Sequence, residues 1–359
     1  MLVIIPTYKR IDSLYWVLVS IMNCSLPMFK SKPRIAIINN YPPNKLQIDL
    51  LINKIKINYE SNVNWEFIAV HRTNTLPPVE NWYTAVFDLA LEDEVVLFVG
   101  DDDPITKTSL SVRYNAIKET NSTMVFGKVI FGLFFSNNCD KILLTEKKKL
   151  NKPEKDIKCL DFKDIWNWTA IHISNHCFVY NSTFKSAYKK AINWCNKQTA
   201  GKYENRLLFI TYYLPLAILL ENGKIVGVED EVVYRGMSIE EIRKARYSIR
   251  SWNLGYISGL AYNMLSNEDL NNIEGLAEIK NHFMETFRNW YYAIKTDPRI
   301  SDVEFSEILA LLKVNEDELS YGEKFYSFKL LFKYHLKIQC LPVYIKSLIK
   351  SKKTEIQNW

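Results

Sequence analysis

Three consecutive aspartates, Asp101, Asp102 and Asp103, stand between Gly100 and Pro104, directly after the apolar run from Glu94 to Val99. Adjacent anions repel one another unless positive charge is close. Hard cations such as Mg²⁺ or Mn²⁺ prefer oxygen ligands, and they often take only one or two protein carboxylates when substrate phosphates complete the shell. The same residues also suit an Asp-rich turn with solvated carboxylates, but a strand feeding straight into them weighs toward a metal site. A second constellation is the pair His172 and His176 in Ile171-His172-Ile173-Ser174-Asn175-His176. On a helix their spacing would pair them on one face as metal ligands, but no Glu follows His172 and the segment reads as a strand. At period two, residues 172, 174 and 176 still share a face. Hydrogen bonding to a bound molecule and a plain structural role are both open to them. The six cysteines are scattered with no C-x-x-C pair, a spacing that suits neither a zinc site nor a disulfide framework.

The elements that would position these groups follow from apolar periodicity. Residues 2 to 6 form a continuous apolar run that predicts a buried strand, and Leu14, Val17, Leu18 and Ile21 then recur at helical spacing. The alternation continues with a strand at 34–38, a helix at 46–57, a strand at 65–70, a helix at 80–91 and a strand at 94–99. Such alternation implies a largely parallel sheet with helices on its faces. Ligands in such sheets bind at the carboxyl ends of the strands, where the topology switches. The polar groups at those ends are Thr7 to Arg10, Asn39-Asn40, His71-Arg72 and Asp101 to Asp103. Residues 136–158 are polar and lysine-rich and predict an exposed insertion. Sheet-like segments return at 170–180 and 224–228, separated by an apolar helix at about 205–220. After Gly236 strand signals fade, and helical stretches to the end predict a C-terminal helical subdomain over 236–359, following a main domain over 1–235.

With 48% apolar and 24% charged positions in 359 residues, the chain can bury a full core. The short apolar run after Met1 is no secretory signal, and no stretch approaches the ~18 apolar residues of a membrane span. A cytoplasmic protein is expected. The net charge of +6 is confined to residues 321–359, where eight lysines face two glutamates. A neutral main domain argues against nucleic-acid binding. Between 321 and 350 lysines alternate with Phe325, Phe328, Phe332 and Leu336, a pattern that suits a basic amphipathic helix lying on an anionic membrane, or a helix packed on the main domain.

Val3-Ile4-Ile5-Pro6-Thr7-Tyr8-Lys9-Arg10 resembles the opening strand and turn of the large inverting glycosyltransferase family with the GT-A fold, an α/β Rossmann-like mixed sheet. Glu80-Asn81-Trp82-Tyr83-Thr84-Ala85, followed by Val99-Gly100-Asp101-Asp102-Asp103, is similar to that family's helix and metal-binding strand. The resemblance implies a nucleotide-sugar donor, a Mn²⁺ or Mg²⁺ held by Asp102 and Asp103, and Asp101 turned toward the ribose or sugar. It further implies that Pro6, Thr7, Tyr8 and Arg10 line the nucleotide. Asn39 and Asn40 stand where many relatives have an Asp that contacts the base, and Arg72 is a further candidate for base or phosphate. Glu204, in Gly201-Lys202-Tyr203-Glu204-Asn205-Arg206, occupies the place of the general base that would deprotonate an acceptor hydroxyl, with Asp164 in reserve. His172, His176 and Trp168, with Trp166 beside it, fall toward the acceptor. A glycan acceptor in bacterial surface polysaccharide synthesis (O-antigen or capsule) is implied, and a lipid-linked one would give the basic tail a purpose at the inner face of the plasma membrane. A catalytically silent binding subunit and a nucleotidyltransferase are the alternatives. The latter usually carries a glycine-rich phosphate loop after its first strand, which Pro6-Thr7-Tyr8 lacks.

Overall fold

A computed structural model describes residues 1–29, 31–59, 65–134, 141–144, 157–160, 176–199, 206–238 and 353–355, with isolated helical positions between 277 and 310. The chain separates into two compact units. The first comprises Met1–Asn193, Tyr203–Ile239 and Ser347–Trp359, and the second Trp194–Lys202 and Glu240–Lys346. The predicted insertion at 136–158 and helical region at 236–359, with its tail, lie largely outside the described residues.

The first unit opens as the periodicity predicts: β1 (Leu2–Thr7), α1 (Ile11–Met22), β2 (Arg34–Asn39), α2 (Lys45–Asn58), β3 (Glu66–His71), α3 (Pro78–Leu89) and β4 (Glu94–Phe98). Beyond these come α4 (Ser109–Thr120), β5 (Met124–Phe134), β6 (Lys141–Leu144), β7 (Lys158–Cys159), β8 (Cys177–Tyr180), α5 (Ser182–Thr199), α6 (Arg206–Leu220), β9 (Ile225–Ser238) and β10 (Lys353–Glu355). Strands β3, β2, β1 and β4 are parallel neighbours in that order. The sheet then turns mixed, since β8 runs antiparallel to both β4 and β5, and β9 runs parallel to β5. Strands β6 and β10 extend it antiparallel. No described helix is long and apolar enough to cross a membrane.

Every residue of β1 is buried, as a strand covered on both faces requires. Leu14, Val17, Leu18 and Ile21 of α1 pack with Ile48, Ile52 and Ile55 of α2 in one apolar cluster with the inward residues of β1, β2 and β4. A second, aromatic layer backs β4. Phe98 meets Trp82, Tyr83 and Phe178 edge-on, and Phe178 stacks on Phe184 at 4.1 Å. The rigid floor under the end of β4 is therefore built from large side chains whose displacement would open a cavity.

Pro6 decides how the sheet opens. Pairing of β1 with β4 ends at Ile4, whose carbonyl accepts the Val99 N–H at 3.0 Å. Along a strand the backbone groups point alternately to either side, so Pro6 presents its missing N–H toward β4, where the two strands have already parted. Beyond this point the polypeptide is free to diverge, and a crevice forms between β1 and β4 at the point where the strand order reverses.

Candidate active site

The Asp cluster borders that crevice, and side chains replace the lost strand pairing across it. The Tyr8 N–H donates to Asp101 Oδ2 at 3.2 Å, and Arg10 Nη1 reaches Asp101 Oδ1 at 3.4 Å and also bonds Asp102. The loop that carries the aspartates is tied to α1 by the Ile105 N–H on Ser20 Oγ at 3.1 Å, and to the segment after α1 by the Ser25 N–H on the Lys107 carbonyl at 2.7 Å. Asp101 and Asp103 are buried, whereas the Asp102 side chain keeps a quarter of its surface open.

Burial, followed by the adjacent Asp102, pushes the Asp101 carboxyl up to about 7, even though Arg10, the Thr7 hydroxyl and the Tyr8 amide pull the other way. Burial is the larger cause and the neighbouring carboxylate the smaller, so the Asp101 carboxyl keeps its proton more readily than an exposed aspartate. The donors of the cluster are all hard oxygens, so Asp102 and Asp103 fit a Mg²⁺ or Mn²⁺ ion. Among the described residues no group of three His, Cys, Asp or Glu side chains converges to enclose a metal.

The other strand ends are less simple than their residue types suggest. Asn39 is fully buried, and both ends of its amide are engaged, by the Tyr41 N–H and by His71. Asn40 exchanges two hydrogen bonds of 2.8 Å with the Leu76 backbone and so fixes the loop after β3. Arg72 donates from Nε to Asn81 Oδ1 at 3.2 Å and pairs with Asp88 at 3.6 Å, bracing the end of β3 against α3. Tyr8 is 46% exposed at this end and meets the half-buried Tyr41 edge-on. Sequence reasoning did not single out Tyr41 and Asp49, although Tyr41 follows the strand-end pair directly.

His176 sits immediately before β8 and is buried. Its carbonyl accepts the Phe98 N–H at 3.0 Å and its ring meets Phe126 edge-on at 5.5 Å, placing it in the core behind the Asp cluster. Glu204, Asp164, Trp166, Trp168 and His172 lie outside the described residues.

The comparisons bear on this arrangement through the fold. No protein-family model matches the sequence, and no curated protein matches it. Among solved structures, TarS of S. aureus (residues 1–349) in complex with UDP-GlcNAc superposes with a TM-score of 0.50 over 87% of this chain and 80% of that one, at 16% identity. The chain has the GT-A fold. A second structure of TarS 1–349 gives a TM-score of 0.49 at 17% identity over 87% and 79%, and the UDP complex gives 0.47 at 18% over 88% and 76%. At the reversal of strand order Tyr8 and Arg10 bond to Asp101, beside which the Thr7 hydroxyl lies, and Arg10 also bonds to Asp102, so the structure brings these sequence-predicted residues together. Arg72 is held on the flank by α3.

Proposed function

We propose that the protein is a metal-dependent, inverting glycosyltransferase that moves a sugar from a nucleoside diphosphate to a hydroxyl of a glycan acceptor. The observation that carries this reading is the meeting of two loops at the β1–β4 strand ends of a GT-A fold, where Asp101 and Asp102 are bonded to Tyr8 and Arg10. The crystal complexes of TarS with UDP-GlcNAc and UDP make uridine nucleotides the first donors to test. A role in bacterial cell-surface polysaccharide synthesis belongs to this proposal. A lipid-linked acceptor, met through the basic tail at the inner membrane face, belongs to the same proposal.

Each residue in the crevice has a task that its geometry supports. Tyr8 and its neighbours receive the nucleoside. Asp101, anchored by the Tyr8 N–H, faces the ribose or sugar. Arg10 bridges Asp101 and Asp102 and can turn its guanidinium to a diphosphate, for which its planar fork is suited. Asp102 and Asp103 would hold the Mn²⁺ or Mg²⁺ ion, which when bound supplies positive charge to the departing diphosphate. Glu204, assigned from the sequence resemblance and not from geometry, takes the proton from the acceptor hydroxyl as that oxygen attacks the anomeric carbon from the face opposite the leaving group.

Release of nucleoside diphosphate from UDP-GlcNAc and from other UDP-, GDP- and dTDP-sugars, measured with Mn²⁺, tests the reading. Asp102→Asn and Asp103→Asn should each lower turnover by at least about a hundredfold, as expected when charge stabilisation of a leaving group is lost, with the melting temperature retained. Wild-type turnover in either variant contradicts the metal assignment.

A further inference from the structure

The ends of β2 and β3 carry a chain of hydrogen bonds that the chemistry above does not use. Asn39 Oδ1 accepts the Tyr41 N–H at 3.0 Å, and Asn39 Nδ2 lies 3.2 Å from His71 Nδ1. Across the ring, His71 Nε2 is 3.0 Å from Asp49 Oδ1 on α2. These contacts fix the protons. An amide that gives its oxygen to Tyr41 has only N–H groups left for the ring, so Nδ1 is the acceptor and Nε2–H is donated to Asp49. Turning the amide over would set two donors against each other at Tyr41. Each member therefore locks the next in one orientation, from the half-exposed Asp49 to the fully buried Asn39.

The chain ends on an aromatic rim. The Tyr41 and Tyr8 rings meet edge-on with centroids 5.5 Å apart, and Lys9 Nζ lies 4.6 Å from the Tyr41 centroid and 5.0 Å from that of Tyr8. Lys9 has a φ of 65°, a left-handed conformation that is disfavoured for a non-glycine residue. Tyr8 is bonded through its N–H to Asp101, so the rim adjoins the anionic cluster. Two aromatic rings and an ammonium beside a phosphate-binding crevice match a flat, π-rich group attached to a diphosphate.

We propose that Asp49, His71 and Asn39 are positioning residues that hold Tyr41 against Tyr8 as the platform for the donor's nucleobase. This rests on the glycosyltransferase reading. None of the three touches the nucleotide; they act through the Tyr41 backbone, and the phosphates are held elsewhere. Loss of the relay therefore weakens recognition of the base and leaves recognition of the diphosphate intact.

Calorimetric titration of the full chain with Mn²⁺ tests this, using UDP, GDP, CDP and dTDP as ligands and inorganic pyrophosphate as the base-free control. In Tyr41→Ala, His71→Leu and Asp49→Ala the affinity for the best-bound nucleotide should fall about tenfold, on the order of one well-made hydrogen bond. Pyrophosphate affinity should not move. Asp49→Asn keeps an oxygen for the Nε2–H and should restore nucleotide affinity. In turnover the donor KM should rise with kcat unchanged. Tyr41 and Asp49 lie at the accessible ends of the relay, so their variants decide the matter even if His71→Leu fails to fold. Equal losses for nucleotide and pyrophosphate, or unchanged nucleotide affinity in the Tyr41 and Asp49 variants, overturn the relay alone. Absence of wild-type binding to all four nucleotides overturns the relay and the glycosyltransferase reading together.

Discussion

Replacing Asp101 with asparagine removes a carboxyl group that burial and Asp102 push up to about 7, while leaving an amide oxygen to accept the Tyr8 N–H. The consequence for stability has a definite sign. Below 3.8, the ordinary value for this group, the carboxyl is protonated in folded and unfolded chains alike. As pH rises from there toward 7 the unfolded chain loses its proton first, so the folded state binds more protons and stability falls. Above about 7 both states are ionised and the full cost is present. At ~1.36 kcal/mol per pH unit, the interval from 3.8 to about 7 corresponds to at most about 4 kcal/mol. About 2 kcal/mol of this develops between roughly pH 5 and 7, where the folded carboxyl is already partly ionised at the upper end. Arg10 is 45% exposed and bridges to Asp102 as well as Asp101, so it offsets only part of the cost. Urea denaturation of the metal-free protein in EDTA, compared between wild type and Asp101→Asn at intervals from about pH 5 to 8, reads the difference directly. The variant should gain stability over the wild type as pH rises, by ~3 kcal/mol across this range, while losing donor turnover. A difference that is flat with pH, or that grows in favour of the wild type, refutes the electrostatic account of the cluster.

Phe178→Ala should cost about 3–5 kcal/mol in denaturant unfolding, because the ring is fully buried between Phe98 and Phe184. A loss below about 1 kcal/mol would mean that the floor under β4 is not packed as described. Glu204→Gln should abolish turnover yet bind donor nucleotide as the wild type does. Transfer at the wild-type rate removes Glu204 as the base.

What could be read from the sequence tracks how local each signal is. The strands and helices from β1 to β4 carry their periodicity within a single segment, and the Asp cluster announces itself by following a strand. Helix α4 escaped because its inward positions include Ser109 and Arg113, both fully buried, which blurs the apolar stripe. Helix α5 was legible in principle, since Phe184, Ala187, Ala191 and Cys195 are buried at helical spacing, but its lysines dilute the pattern. At the site, residue type located Asn39 at a strand end but not the use of its amide. That use depends on Tyr41, His71 and Asp49 converging from three elements, a fact of tertiary structure with no local signature. Pro6 is the converse case: a proline within an apolar strand marks where pairing stops, and here it marks the crevice.

The central claim is that the β1–β4 crevice binds a nucleoside diphosphate together with a divalent cation. Thermal denaturation of the purified protein with UDP, GDP, CMP and dTDP, each with and without Mn²⁺, tests it most directly. The account predicts that one nucleotide raises the melting temperature only when Mn²⁺ is present, and that Asp103→Asn abolishes the rise. Stabilisation by none of the four, or by a nucleotide equally well in EDTA, contradicts it.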